Sequence, residues 1–214
     1  MNNLKRTALS LALVAAGFTA QAQKSITEGV IVYNVTSNGQ QNEAKNYFKG
    51  DSSSYQLQQG PADIKIISNT KGDYMAVLVD VPVASMKKAA ISTPADMEQM
   101  KGMEPTFTST PTTETQTLAG YKCTKVTAKD AKSGKTYDVW VTKDVTVPSN
   151  NLTKYYANFG GMPVKFSISQ MGQQVDVVLK SITAEKVKAG TFAVPADFEK
   201  ITMQELMSMR GGGN

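Results

Sequence analysis

Apolar and polar residues alternate in short runs along most of the chain, and turn-forming residues separate the runs at intervals of roughly ten positions. The clearest run spans 74–81, where odd-numbered residues such as Met75 and Val77 fall on one face and even-numbered residues fall on the other. Such alternation is typical of strands with one buried face. It predicts about ten strands, at residues 29–36, 43–48, 54–58, 64–68, 74–81, 107–118, 121–128, 136–142, 163–170 and 175–184.

Three other segments carry helix signals instead of this alternation. Residues 94–103 begin with Pro94 and place acidic side chains in the first turn, as the start of a helix favours. Residues 151–159 are bounded by a nearby proline and by two glycines, and residues 196–209 follow Pro195. The pattern therefore predicts short helices in these three segments.

The order of these elements indicates how the chain folds. Strands twist with a fixed hand, so a long series of antiparallel strands joined by short turns curls and does not stay flat. Short helices with apolar faces then pack against the concave side. We therefore expect a mainly β (α+β) fold, in which a curled antiparallel sheet of about ten strands forms an unclosed half-barrel. Two or three short helices cap it and leave a hollow.

The start of the chain has the features of a secretory leader. A Lys5-Arg6 pair precedes an apolar stretch of about ten residues, and Ala20-Gln21-Ala22 supplies a small-x-small cleavage site. The apolar stretch is too short to cross a bilayer as a helix, which takes about 20 residues. We expect an exported protein, periplasmic or secreted, without a transmembrane anchor. The expected division is a signal peptide at 1–22, a single β domain at 23–210 and a disordered tail at 211–214.

Composition removes most familiar catalytic and metal-binding machinery. The 214 residues include no histidine and one cysteine, which excludes Ser-His-Asp triads, Cys-His dyads, His-ligated metals and disulfide frameworks. Gly-rich phosphate loops and Asp-rich calcium loops are also absent from the sequence, so we expect no cofactor and no metal. Cys123, without a histidine to activate it, is expected to be a half-buried side chain of a strand. Paired carboxylates remain a route to hydrolysis, but we expect a non-enzymatic protein without catalytic residues.

Charge and methionine content bear on the partners. The net charge of +5 is scattered without arginine-rich clusters, so no nucleic-acid partner is expected. Three of the 11 methionines recur at spacing three in the first predicted helix, where they would form one ridge. Methionine adapts to varied apolar ligands, although packing between helix and sheet also explains such a ridge. The residues expected to line the hollow are Met97, Met100, Met103, Trp140, Tyr155, Tyr156, Phe159 and Phe166.

The second half of the chain carries a resemblance to a known family. The stretch LAGYKCTKVTAKDAKSGKTYDVWVTKDV at 118–145 contains a Gly-Tyr-x-Cys strand, a glycine hairpin and a Trp-Val-Thr-Lys-Asp strand end. It resembles exported Bacteroidota-type proteins of unknown function. GMPVKF at 161–166 and TFAVPADFEKI at 191–201 are similar to the closing elements of that family. The residues that carry the resemblance are Gly120, Tyr121, Cys123, Gly134 and Trp140 to Asp144.

That family looks like a relative of the LolA and LolB lipoprotein carriers. The resemblance implies an unclosed antiparallel half-barrel capped by helices, with an apolar cavity that shelters acyl chains in the periplasm. It implies no catalytic residues. The functional arginine of the carriers has no evident counterpart here, because Arg210 lies in the tail.

Two functions from different classes are therefore expected to compete. The preferred one is a module that binds or carries a lipid or another apolar small molecule in the concave face of the sheet. The alternative is a structural or protein-interaction module of the cell envelope whose concave side is filled by its own core, with the Thr-rich stretch 106–117 as an exposed edge for a protein partner that the sequence does not identify.

Overall fold

The computed structural model of the protein describes residues 23–170 and 173–211. The leader predicted at 1–22 and residues 212–214 of the predicted tail lie outside the described residues. The helices are α1 (Pro94–Met103) and α2 (Met203–Gly211), with 3-10 turns at Pro82–Ala84 and Lys154–Tyr156. The strands are β1 (Lys24–Ser25), β2 (Glu28–Ser37), β3 (Gln40–Lys49), β4 (Ser52–Gln59), β5 (Ala62–Asn69), β6 (Met75–Val81), β7 (Met86–Ile91), β8 (Phe107–Leu118), β9 (Tyr121–Asp130), β10 (Thr136–Thr142), β11 (Val145–Thr146), β12 (Met162–Gln170), β13 (Gln173–Ala184) and β14 (Glu199–Ile201).

Twelve strands form one sheet in the order β14-β7-β6-β5-β4-β3-β2-β13-β12-β10-β9-β8. Neighbours pair antiparallel except β14, which pairs parallel to β7, so the sheet is mixed. A separate two-stranded sheet joins β1 to β11. The two edge strands of the large sheet do not pair with each other, so it stays open. The prediction of an unclosed, mainly β half-barrel with short helices is confirmed.

The link between β7 and β8 demonstrates the curl of the sheet. These strands are ten strand-to-strand steps apart, which is about 48 Å measured along the sheet. The link contains α1, about 15 Å long, and seven extended peptide steps that add at most about 24 Å. A link of at most about 40 Å cannot follow that arc, so it crosses the concave side. We call the concave side of the sheet the trough.

Local sequence signals account for several elements directly. Asn38 and Gly39 have φ angles of 51° and 75°, which is the left-handed pair that a two-residue hairpin between β2 and β3 requires. The helix predicted at 94–103 forms with the same bounds. Thr93 caps it, because its hydroxyl accepts the Asp96 amide hydrogen while the Asp96 carboxylate accepts the Thr93 amide hydrogen.

One helix prediction is wrong, and a second is confirmed only for its C-terminal half. Residues 151–159 form turns with a three-residue 3-10 segment, because this short stretch directs aromatic side chains into the core. Residues 196–209 divide into β14, which pairs with β7, and α2, which begins after Thr202. Thr202 and Glu205 form the capping box that sets this later start. The strand β7, which completes the pairing surface for β14, was not among the predicted strands.

Buried apolar residues form three clusters on the two faces of the sheet. The largest fills the trough over β2, β13, β12 and β10. A second lies on the convex side, where Ala76 and Leu78 of β6 pack against Phe192 and Phe198 of the segment before β14. The third lies in the trough at the other end, under α2. The sheet is therefore covered in the trough near both ends and on the convex side beneath β6 and β7.

Candidate functional site

The segment 150–159 fills one end of the trough, and we call it the plug. Tyr156 is fully buried, and its ring stacks on Phe107 at 5.3 Å between centroids with an interplanar angle of 13°. It also meets Phe159 at 5.3 Å and Phe166 at 5.2 Å. Tyr33 completes the group, with its ring centroid 6.3 Å from that of Phe166. These rings pack against one another over β2, β12 and β10.

Hydrogen bonds within the plug and from the plug to the sheet hold it in a non-helical path. The Asn150 side-chain oxygen accepts the amide hydrogens of Leu152 at 2.9 Å and Thr153 at 3.2 Å. Its side-chain nitrogen donates to the Tyr33 hydroxyl at 3.3 Å. The Tyr156 hydroxyl donates to the Ser167 carbonyl. That carbonyl lies where β12 has moved away from β10, whose pairing with β12 stops at Trp140, so the tyrosine replaces a missing strand partner.

The helix α2 covers the opposite end of the trough. Met203 and Leu206 are buried against Ala90 of β7. Met75 and Val77 of β6 are half-buried against the same group. The helix therefore covers β7 and one side of the β6 side chains, and among the described residues its cluster does not extend to β5.

Between the plug and α2, a half-buried apolar surface remains on the floor of the trough. Leu57, Ile64 and Val79 are direct cross-strand partners on β4, β5 and β6. Ile66 and Val77 form the next row along the same strands. All five side chains are half-buried, whereas cross-strand partners closer to the plug, such as Tyr33, are fully buried. Leu57 and Ile66 pack against the plug-side cluster, and Val77 and Val79 pack against the α2 cluster, so these side chains are covered on one side only. We call Leu57, Ile64, Ile66, Val77 and Val79 the open strip.

Polar groups lie at the plug end of the open strip. Asn46 of β3 pairs across the strand with Tyr55, which pairs with Ile66, so the three share one row. Asn46 is fully buried, and its side-chain oxygen accepts a hydrogen bond from the Ser53 hydroxyl at 2.7 Å. Its side-chain nitrogen has no partner among the described residues. An unpaired buried donor costs about 1–3 kcal/mol, so this atom is suited to a bound polar group.

The Tyr55 hydroxyl remains a hydrogen-bond donor at neutral pH. The side chain is largely buried, and desolvation raises the pKa of Tyr55 to about 12. At pH 7 the phenol is therefore protonated. The same cause raises the pKa of Tyr33.

The helix α1 crosses the trough as a strap with few close contacts to the strands. None of its side chains is buried. The Lys132 ammonium donates hydrogen bonds to the carbonyls of Gly102 at 2.7 Å and Glu104 at 2.6 Å. These two bonds hold the carboxyl end of α1. Glu104 also forms an ion pair with Lys154 of the plug. The strap is therefore fixed to the plug side by polar contacts and is lightly packed elsewhere.

The structure brings together some of the predicted ligand-contact residues and separates others. Tyr156, Phe159 and Phe166 meet in the plug cluster. Trp140 pairs with Lys125 and Lys165 and so lies on the opposite face of β10 from Val139 and Val141, away from the trough. The other four lie apart: Met97 and Met100 are half-buried on α1, Met103 is 63% exposed at its end, and Tyr155 is half-buried beside the Lys154 ammonium.

Sequence reasoning did not single out the residues of the open strip. Leu57, Ile64 and Ile66 were assigned to strands, and their alternation marked them as members of one face. These residues differ from core residues only in their partial exposure. That exposure depends on how far the plug and α2 extend over the strands. Asn46 carried a weaker local signal, as a polar residue at a core-facing position between Ala44 and Phe48.

Two further concave surfaces lie away from the open strip. One, of about 470 Å³, lies between α2 and β14 and is bounded by charged side chains such as Lys88, Glu199 and Glu205. The other, of about 410 Å³, lies where β10 and β12 separate, and Asp138 and Asp176 are among its polar walls. Both are wide open to solvent, and neither is lined by residues of the open strip.

Among residues 23–170 and 173–211, no three His, Cys, Asp or Glu side chains are grouped to hold a metal ion. Cys123 is buried in β9, and burial raises the pKa of its thiol. In the same described ranges, no helix combines the length and the apolar character needed to cross a bilayer.

Comparisons with known proteins place the fold among relatives. The family described as Domain of unknown function (DUF4412) matches residues 27–198. An uncharacterized conserved protein from Thermus thermophilus has a crystal structure similar over 82% of this chain and 91% of that one, with a TM-score of 0.50 and 9% identity. No curated protein matches the chain.

PNGF-II is a second structural neighbour, known in two space groups. Its P21 form is similar over 86% of this chain, with a TM-score of 0.52 and 15% identity, and its C2 form over 86%, with 0.48 and 17%. The present chain spans about a third of the length of PNGF-II, 33% and 32% in the two forms. At such identities the likeness concerns the fold alone.

Proposed function

The chain belongs to the DUF4412 family, a domain of unknown function, and we propose that it is an exported, non-enzymatic module that binds or carries a lipid or another apolar ligand. The ligand lies on the open strip, between the plug and α2. The resemblance to the LolA and LolB carriers supports the same arrangement, in which a half-barrel shelters acyl chains.

The observation that carries this proposal is the exposure of the open strip. Leu57, Ile64 and Ile66 are half-buried in the part of the concave surface that lies between the plug cluster and the α2 cluster. An alkyl chain that buried on the order of 300 Å² there would gain roughly 7 kcal/mol at about 25 cal/mol per Å², before the cost of association. Micromolar affinity corresponds to about 8 kcal/mol, so burial of the hydrocarbon supplies a large part of the interaction energy and further contacts to the ligand must add the rest.

The strap α1 is the element that would admit the ligand. Two of its three methionines, Met97 and Met100, are half-buried, and neither belongs to the buried clusters of the described residues. Methionine side chains adjust readily to apolar surfaces of different shape. A ligand on the open strip would offer these two side chains an apolar contact in addition to those that the protein already makes.

The plug favours a second candidate function. Tyr156, Phe159 and Phe166 pack together in the plug end of the trough, as expected for a structural or interaction module with a filled core. In that case the exposed edge strand β8 offers its backbone to a protein partner. Pro111 and the bulge between it and Thr115 interrupt this edge, which makes it a poor template for long strand addition.

The two functions are distinguished by hydrocarbon binding. The protein would be titrated with N-phenyl-1-naphthylamine, a dye that fluoresces in apolar sites, and analysed by native mass spectrometry for bound lipid after mild purification. We expect saturable binding at micromolar dye. Absence of both dye binding and co-purified lipid would leave the filled-core module as the better account.

A pair of variants locates the binding. Leu57→Glu places a charge on the open strip and should weaken dye binding at least tenfold, because the carboxylate must lose water when the ligand binds. Gln56→Glu is the matched control, since the neighbouring residue on β4 faces the convex side. Equal affinities of the two variants would contradict a site on the strip.

Export is tested separately by the mass of the secreted chain, expected to begin at Gln23.

A further inference from the structure

We propose that the ligand of the open strip carries an acyl oxygen, as a carboxylate or an ester, and that Asn46 and Tyr55 donate hydrogen bonds to that oxygen. This inference rests on the proposed function and specifies the chemical class of its ligand. The chain end that bears the oxygen lies against β3 and β4, and the hydrocarbon lies over β5 and β6.

The unpaired amide of Asn46 is the first observation behind this assignment. The side chain is fully buried in the trough, its oxygen is used by Ser53, and its nitrogen has no partner among the described residues. The chain offers it only apolar neighbours on its own face of β3, namely Ala44 and Phe48. A donor in such surroundings selects a ligand atom that accepts a hydrogen bond.

The row that contains Asn46 supplies the second observation. Asn46, Tyr55, Ile66 and Val77 are successive cross-strand partners on β3, β4, β5 and β6. Directly opposed residues have Cβ atoms about 5 Å apart, so the Tyr55 side chain adjoins the amide. Polarity thus changes along one line, from two hydrogen-bond donors to aliphatic side chains. An acyl chain changes polarity in the same direction.

The length of this row defines the size of the ligand. Three strand-to-strand steps separate Asn46 from Val77, which is about 14 Å. Val79 and Ile64 widen the apolar end by one more row. A medium-length acyl chain therefore fits along the strip with its oxygen at the donors, whereas a short acid would leave the apolar end empty.

Three fluorescent probes separate the polar end from the hydrocarbon. The first is 11-(dansylamino)undecanoic acid, which has a carboxylate, and the second is its methyl ester. The third is N-phenyl-1-naphthylamine, which has no acyl oxygen. We expect wild-type protein to bind both acyl probes. Asn46→Asp should weaken the acid at least tenfold and the ester severalfold, and it should change the affinity for the naphthylamine less than twofold.

Asn42→Asp is the matched control for charge. Asn42 is an exposed residue on the same strand and face, four positions away, so the variant adds the same charge without removing the buried amide. It should leave all three affinities within twofold. Tyr55→Phe keeps the ring and removes the hydroxyl, and it should weaken the acid probe about threefold. If circular dichroism shows that Asn46→Asp does not fold, the affinities of Tyr55→Phe for the three probes provide the test instead.

The outcomes separate this inference from the proposed function. Equal losses for all three probes, or no loss for the acid in Asn46→Asp and Tyr55→Phe, would overturn the role of the two donors. Wild-type protein that binds the naphthylamine but neither acyl probe would overturn the ligand class and leave an apolar site standing. Wild-type protein that binds none of the three would overturn both. A loss confined to the acid would assign a free carboxylate, and a loss for acid and ester would assign the acyl oxygen in general.

Discussion

Replacement of Tyr156 in the plug tests how the trough is filled. Tyr156→Ala removes a fully buried ring together with its contacts to Phe107, Phe159 and Phe166, and it leaves the Ser167 carbonyl without its donor. Tyr156→Phe removes only the hydroxyl. The pair therefore separates the packing of the ring from the hydrogen bond at the gap between β10 and β12.

The expected effects follow from burial and from the lost donor. Truncation of a buried aromatic side chain costs about 3–5 kcal/mol, and an unsatisfied carbonyl adds about 1 kcal/mol or more. For a domain of this size, 1 kcal/mol corresponds to a change of roughly 2–4 °C in Tm. Tyr156→Ala should thus lower Tm by about 10–20 °C, whereas Tyr156→Phe, with a cost of about 1–2 kcal/mol, should lower it by about 4 °C.

Urea unfolding followed by circular dichroism, together with thermal scans, provides the measurement. The free energy of unfolding of Tyr156→Ala should fall at least twice as far as that of Tyr156→Phe. Equal losses in the two variants would assign the effect to the hydroxyl, and a loss below about 1 kcal/mol in Tyr156→Ala would refute a closely packed plug.

Three further predictions concern positions outside the plug. A Cβ at Gly29 would lie 2.1 Å from the Thr183 carbonyl oxygen, so Gly29→Ala should cost about 3 kcal/mol in urea unfolding, and a loss under about 1 kcal/mol would contradict the pairing of β2 with β13. The buried Cys123 thiol, with its raised pKa, should react with a disulfide reagent at least about 100-fold more slowly in native protein than in guanidinium, and rapid native reaction would show that it is accessible. Hydrogen bonds from the Ser133 hydroxyl, and then from the Lys132 amide, lower the pKa of Asp130. Its contribution to stability is therefore full above the ordinary aspartate pKa of about 3.9 and is lost as pH falls through the lower folded-state value. The advantage of wild type over Asp130→Asn in unfolding midpoint should shrink below about pH 4, and an advantage that persists unchanged at pH 2 would contradict this.

Much of the sheet could be predicted from local sequence, and particular elements show why. Alternation over residues 175–184 marks a strand because side chains of a strand point to opposite faces in turn, whichever strand becomes its neighbour. Asn38-Gly39 marks a hairpin because its backbone angles are a property of those two residues. The bounds of α1 follow from Pro94 and the Thr93 capping box for the same reason.

Elements that depend on distant partners were predicted poorly. The segment 151–159 has helix-compatible ends, but its aromatic side chains gain more by packing on Phe107 and Phe166 than a short helix would provide. The strand β14 exists because β7 offers it an open edge. Nothing within its three residues indicates that pairing.

The candidate site divides in the same way. Local patterns were enough to specify a curled, mainly β sheet with an apolar inner face, because alternation and turn residues act over a few positions. The packing of the plug and α2 settled which part of that face is covered, and therefore that Leu57, Ile64 and Ile66 stay half-exposed and that the Asn46 amide lacks a partner among the described residues. Burial is set by contacts between segments far apart in the chain, and no local pattern records where those contacts end.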